Sequence, residues 1–120
     1  MSQGILLFGH GARNAEYVQP FLRIKDAMLA RDADANIEIG FLELQQPTFE
    51  EAVDALVRRG VDAIRIVPIF FAPGKHVLKD LPERAGHVLD RYPELSLEVA
   101  DAVGMIPSVI EAMAGYALGR

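Results

Sequence analysis

Two histidines stand where chemistry is easiest to support. His10 lies in Gly9-His10-Gly11-Ala12-Arg13-Asn14, directly after the apolar run Gly4–Phe8. His76 lies in Pro73-Gly74-Lys75-His76-Val77-Leu78-Lys79-Asp80, directly after a run that closes on Phe70-Phe71. An imidazole has an ordinary pKa of about 6.5, so at cellular pH it can bind a metal ion or take a proton. Glu43 ends a third such stretch, ahead of Pro47. A carboxylate there can complete a ligand set or accept protons. The chain has no cysteine, which removes disulfides, thiolate metal sites, iron–sulfur ligation and cysteine nucleophiles. A metal held here must sit on imidazole and carboxylate, a set that suits borderline first-row divalent ions.

The elements that position these residues follow from the hydrophobic pattern. Gly4–Phe8 reads as an interior strand, and a helix with Pro20 in its early part carries Phe21, Leu22, Ile24, Met28 and Leu29. Asn36–Glu43 reads as a second strand, with Ile37, Ile39 and Phe41 alternating. Thr48-Phe49-Glu50-Glu51 matches a capping box, and its helix runs to Gly60 after Arg58-Arg59. Val61–Phe71 is the third strand, broken by Pro73-Gly74. Helical pattern resumes around Leu81–Arg91 and stops before Pro93; Leu95–Ala100 is the fourth strand, and Pro107 opens a terminal helix.

Such alternation predicts an α/β fold, one domain over residues 1–120: a four-stranded parallel sheet with helices on both faces, in three layers. The expected strand order is the flavodoxin-like 2-1-3-4. In a parallel sheet the C-terminal strand ends share one edge, and ligands bind there at the switch point. His10, Glu43 and His76 each follow a strand, so all three are expected at that edge. Arg13, Lys75 and Lys79 sit near the same turns and offer an anionic ligand local positive charge. His87, within a helical pattern, reads as a surface or structural residue.

Several function classes are disfavoured. The net charge of −5 and the lack of a long basic block argue against nucleic acid. The Ile5–Phe8 run is too short to span a membrane and no signal-peptide pattern precedes it, so the expected location is the cytoplasm. Gly9-His10-Gly11-Ala12-Arg13-Asn14 carries only two glycines of a dinucleotide fingerprint, with histidine a poor neighbour for pyrophosphate. Ser2, Ser96 and Ser108 are the only serines, and none lies in a nucleophile elbow. Two alternatives keep the histidine pair: a histidine-dependent phosphotransferase or phosphatase, and a non-catalytic metal or tetrapyrrole carrier. The first would want an arginine directly before the nucleophilic histidine, where Gly9 stands.

With those residues in place, the chain resembles the small, single-domain sirohydrochlorin chelatases, class II chelatases of cobalamin and sirohaem biosynthesis. The matching pieces are Gly9-His10-Gly11-x-Arg13, Phe41-Leu42-Glu43 with Pro47, and Pro68-x-Phe70-Phe71-x-x-Gly74-x-His76-x-x-x-Asp80-x-Pro82. The resemblance implies a chelatase-like 2-1-3-4 sheet and a divalent metal held by His10 and His76 for insertion into a tetrapyrrole with eight carboxylates. Sirohydrochlorin or a close relative is the expected macrocycle, with Co²⁺ the first candidate metal and Ni²⁺ or Fe²⁺ the alternatives. No cofactor beyond that substrate metal is expected. On this reading Glu43 completes the ligand set or takes protons. Arg13, Lys75 and Lys79 anchor peripheral carboxylates, while Phe70 and Phe71 present flat apolar surface. Where the family often has serine after Gly-His-Gly, this chain has Ala12. Larger relatives hold two such domains, so a single copy is expected to pair as a homodimer. The apolar stripe Ile106, Val109, Ile110 and Met113 could serve that partner, although covering its own sheet is the first expectation.

Overall fold

The computed structural model describes residues 3–120, apart from the side chain of His76. Strands β1 (Gln3–Gly9), β2 (Asn36–Phe41), β3 (Ala63–Pro68) and β4 (Ser96–Val99) form one sheet in the order β2-β1-β3-β4. Every pairing is parallel, with Gly9 opposite Phe41, Phe8 opposite Pro68 and Ile66 opposite Val99. The helices are α1 (Gln19–Arg31), α2 (Phe49–Arg58), α3 (Lys75–Arg91) and α4 (Pro107–Leu118). A short 3-10 turn precedes α1 and another precedes α4. This is the expected topology, with β1 and β3 adjacent at its centre. No helix among the described residues is long and apolar enough to cross a membrane.

Alternation along the strands splits the core between the two faces. Leu6 and Phe8 of β1 and Ile64 and Ile66 of β3 face α2 and α3, meeting Phe49, Val53, Leu56, Val77, Leu81 and Val88. Leu7 of β1 and Ile37, Ile39 and Phe41 of β2 face the other way, onto Phe21 of α1. α2 is buried along Phe49, Ala52, Val53 and Leu56, the spacing of one helical stripe. Burial of each large side chain there contributes about 1.5–3 kcal/mol. The expected capping box forms in full: Thr48 Oγ1 accepts from the Glu51 amide at 3.1 Å, and the Thr48 amide donates to the Glu51 carboxylate at 2.8 Å.

Two expectations need correction. α3 starts at Lys75, well before the anticipated region around Leu81, so His76 sits in a helical first turn rather than in a loop. Pro82 does not mark its start, although proline suits the first helical position. The helix instead runs through it: Gly74 takes an extended cap conformation, Val77 and Leu81 are buried one turn apart, and Pro82 lies on the exposed side. The second correction concerns α4. It contains no buried residue, and Arg65, Glu98 and Val99 remain exposed in the β3–β4 half of the sheet. Its apolar side meets the sheet across open space: Val109 borders a cavity of about 460 Å³ lined by Ile5, Leu7, Val67 and Ile69, and Met113 borders another beside Ile69 and Phe70. The terminal helix therefore covers its own sheet only loosely, with Val109 and Met113 half-buried.

Candidate active site

The parallel ladder continues past the ends of the strands, and this carries the chemistry-bearing residues to one edge. The Leu42 amide donates to the Gly9 carbonyl at 3.0 Å and the Glu43 amide to the His10 carbonyl at 3.2 Å. The Ile69 amide donates to the Phe8 carbonyl at 2.8 Å. Neighbouring strands lie about 4.8 Å apart. Glu43 is thus held against the His10 main chain, one strand spacing away, and the chain leaving β3 is held on the opposite side of β1. His10 is exposed and Glu43 half-buried, so both can be reached from outside.

Gly11 makes this approach possible. Its φ is +98°, and a Cβ at this position would lie 1.8 Å from the Glu43 carbonyl oxygen. A side chain therefore cannot occupy the point where the His10 loop crosses the Glu43 segment. The Ala12 amide then donates to Gln45 Oε1 at 3.2 Å, a second tie between the two loops. The glycine after His10 was visible in the sequence, but its reason is this crossing, made between segments far apart in the chain.

α3 opens at the same edge, since a helix following a parallel strand starts at that strand's C-terminal end. Its first two turns bring Lys75, His76, Lys79 and Asp80, with Lys75 and Lys79 exposed. The first turn has no acidic residue. Cations at a helix N-terminus oppose the macrodipole, at a cost of about 0.3–1 kcal/mol each, and an anionic ligand would offset it. The side chain of His76 lies outside the described residues. Among the described residues no group of three or more histidine, aspartate or glutamate side chains gathers around a common point.

Arg13 is exposed in the loop after His10. The two phenylalanines separate: Phe70 packs edge-on against Phe8, with ring centres 6.3 Å apart, whereas Phe71 is 74% exposed. Phe70 also lines an apolar cavity of about 280 Å³ together with Val77, Leu78, Leu81, Val99 and Met105. That cavity lies between the start of α3 and the end of β4, beside the edge that carries the histidines. Gly104 closes in on the same stretch, where a Cβ would lie 2.3 Å from the Phe71 Cα.

A residue that the sequence did not single out ties these pieces together. Arg84, half-buried on α3, donates from Nε and Nη2 to the Glu50 carboxylate at 2.7 and 2.6 Å. Its Nη1 donates to the Leu42 carbonyl. The hydrogen bond from Arg84 holds the Glu50 carboxyl below the usual glutamate range, burial opposing this in part. The same bond strengthens the guanidinium's hold on its proton, with the charges of Asp80 and Glu43 adding to it. Nothing in a helical arginine's neighbours along the chain reveals such a role. His87 is exposed, as expected.

A family model described as CbiX matches residues 4–116, nearly the whole chain. The chain belongs to the CbiX family. Among its relatives, the sirohydrochlorin cobaltochelatase of Sulfurisphaera tokodaii is 32% identical over 110 residues, covering 92% of this chain and 87% of that protein. The sirohydrochlorin ferrochelatase of Bacillus subtilis is 33% identical over 113 residues, covering 94% of this chain but only 43% of that protein. The crystal structure of the sirohydrochlorin chelatase SirB from Bacillus subtilis subspecies spizizenii in complex with cobalt matches with a TM-score of 0.84 at 30% identity, over 99% of this chain and 51% of that one. This CbiX chain thus spans about half the length of the Bacillus chelatases and most of the archaeal one.

Proposed function

We propose that this chain inserts a divalent metal ion into sirohydrochlorin, with Co²⁺ the first candidate and Ni²⁺ or Fe²⁺ the alternatives. The observation that carries the reading is the pairing of His10 with Glu43 across adjacent strand ends, beside the helix start that bears His76. Relatives named for sirohydrochlorin cobaltochelatase and ferrochelatase activity support the substrate class.

In this reading the two imidazoles of His10 and His76 bind the incoming ion and replace part of its water shell. The macrocycle lies against the apolar wall formed by Phe70 and the start of α3, with Phe71 offering exposed aromatic surface above the edge. Arg13, Lys75 and Lys79 pair with its peripheral carboxylates, Arg13 being the most directional of the three. Insertion exchanges one divalent cation for two pyrrolic protons, so the complex needs a base near the ring. Glu43 takes that role, passing protons to solvent at the exposed edge. Metal and tetrapyrrole are both substrates, and no further cofactor enters the reaction.

The functional unit in this reading is a homodimer. The terminal helix, which covers its own sheet only loosely, supplies an apolar surface through Ile110 and Met113. The Bacillus relatives are about twice this length, and this chain matches about half of each.

The test is an anaerobic insertion assay with sirohydrochlorin and Co²⁺, Ni²⁺ or Fe²⁺ in turn, followed by absorbance. Wild-type protein should exceed the spontaneous rate, and His10→Ala and His76→Ala should each fall to it. Metal binding by wild type with no gain in rate would mean a carrier instead.

A further inference from the structure

The peptide unit between Leu42 and Glu43 is held at both ends by groups from distant parts of the chain. Its N–H donates to the His10 carbonyl at 3.2 Å, and its C=O accepts from Arg84. The first bond ties Glu43 to the histidine loop. The second ties it to α3, the helix whose first turn carries His76. Arg84 lies eight residues after His76 on the same helix, about 12 Å along its axis.

Arg84 is itself prevented from swinging. Glu50 grips Nε and Nη2 in a two-pronged pair at 2.7 and 2.6 Å, and the guanidinium carbon stands 5.9 Å from the centre of the Phe49 ring. Both partners belong to the first turn of α2, which the capping box anchors. The planar fork is suited to this task because its remaining nitrogen projects in a fixed direction once two are committed. With Glu50 taking two donors, Nη1 is left aimed at the Leu42 carbonyl. A peptide unit fixed on both sides cannot rotate, and its orientation sets the direction in which the Glu43 side chain leaves the backbone.

We propose that Arg84, braced by Glu50, is a positioning residue for metal insertion. It fixes the Leu42–Glu43 peptide so that the Glu43 carboxylate stays in register with the His10 loop and with the helix that carries His76. Its effect is on the reaction step through Glu43, with the macrocycle's own binding left to the exposed cations. The inference rests on the chelatase reading above, in which Glu43 receives the pyrrolic protons.

The experiment compares wild type with Arg84→Ala, Arg84→Lys and Glu50→Gln in the anaerobic insertion assay with sirohydrochlorin and Co²⁺. Hydrogen exchange at the Glu43 amide is measured on the same proteins. Misplacement of a reacting group by even an ångström is costly, so Arg84→Ala should lose at least about tenfold in kcat. Its KM for sirohydrochlorin should stay within about twofold, the pattern expected when only the reaction step is touched. Arg84→Lys, which keeps charge without the fork, should fall between the two. Added guanidinium ion should restore part of the activity of Arg84→Ala, and exchange at Glu43 should quicken in that variant. Unchanged kcat in folded Arg84→Ala overturns the proposal, and so does a raised KM with kcat retained, which would make Arg84 a substrate anchor. If Arg84→Ala does not fold, unchanged kcat in both Arg84→Lys and Glu50→Gln overturns it. Wild type at the spontaneous rate removes the chelatase reading and the positioning role with it. Exchange at Glu43 then still reports whether the clamp exists without the reaction.

Discussion

Gly11 carries two constraints at once, a positive φ and a backbone crossing within reach of any Cβ. Either alone would favour glycine; together they leave no room for alanine. Gly11→Ala should lower stability by more than about 1 kcal/mol, since an alanine forced to positive φ already costs about that much before the clash is counted. The urea midpoint reads this directly. The proposed insertion activity should fall further than stability alone explains, because the Glu43 carbonyl is the atom that must yield. A variant with wild-type midpoint and rate would show that the two loops separate without consequence. At the same scale, the motif glycine and the two histidines could be singled out from their neighbours in sequence, although the helical setting of His76 could not. Arg84 was not, because its partners Leu42 and Glu50 come from other elements.

At the scale of elements, α2 is the frame that holds the brace. Its first turn contributes Phe49 to the core and Glu50 to Arg84, and its capping box determines where that turn begins. Thr48→Ala removes the acceptor for the Glu51 amide, and a lost cap of this kind costs about 1 kcal/mol. The urea midpoint should drop accordingly with the slope unchanged, as expected when the extent of unfolding stays the same. A drop with a changed slope would point to a loss of two-state behaviour instead. The capping box was readable from Thr48 and Glu51 because it is local. The start of α3 at Lys75 was missed because distant packing sets the turns before Pro82. Burial of Val77 and Leu81 against the sheet favours the earlier turns, and the proline is accommodated on the solvent side.

For the whole molecule, the unusual feature is a terminal helix with no buried residue beside a sheet face left partly open. In the homodimer proposed above, such a helix finds its cover on a second copy. Sedimentation across protein concentration should show a dimer, and Ile110→Glu combined with Met113→Glu should shift it toward monomer. Far-ultraviolet circular dichroism should be retained, because neither side chain is buried within one copy. Stable interfaces need about 800 Å² per partner, so charges placed within so small a patch should be felt strongly. A wild-type protein that sediments as a monomer at all concentrations would refute the pairing.

Alternation of apolar runs with helical periodicity was enough to determine the α/β class, the parallel sheet and the edge at which His10, Glu43 and His76 follow their strands. Those are consequences of short-range pattern and of the handedness of crossovers, and they need no knowledge of contacts. Tertiary structure alone decided how closely the pieces meet. The crossing of Gly11 over Glu43, the fork of Arg84 on Glu50 and Leu42, and the loose seat of α4 on its sheet all depend on groups separated by tens of residues. No local periodicity encodes such meetings, because each arises from packing two faces of a sheet at once. The residues proposed for the chemistry could be picked out along the chain; the frame around them appears only when the chain is folded.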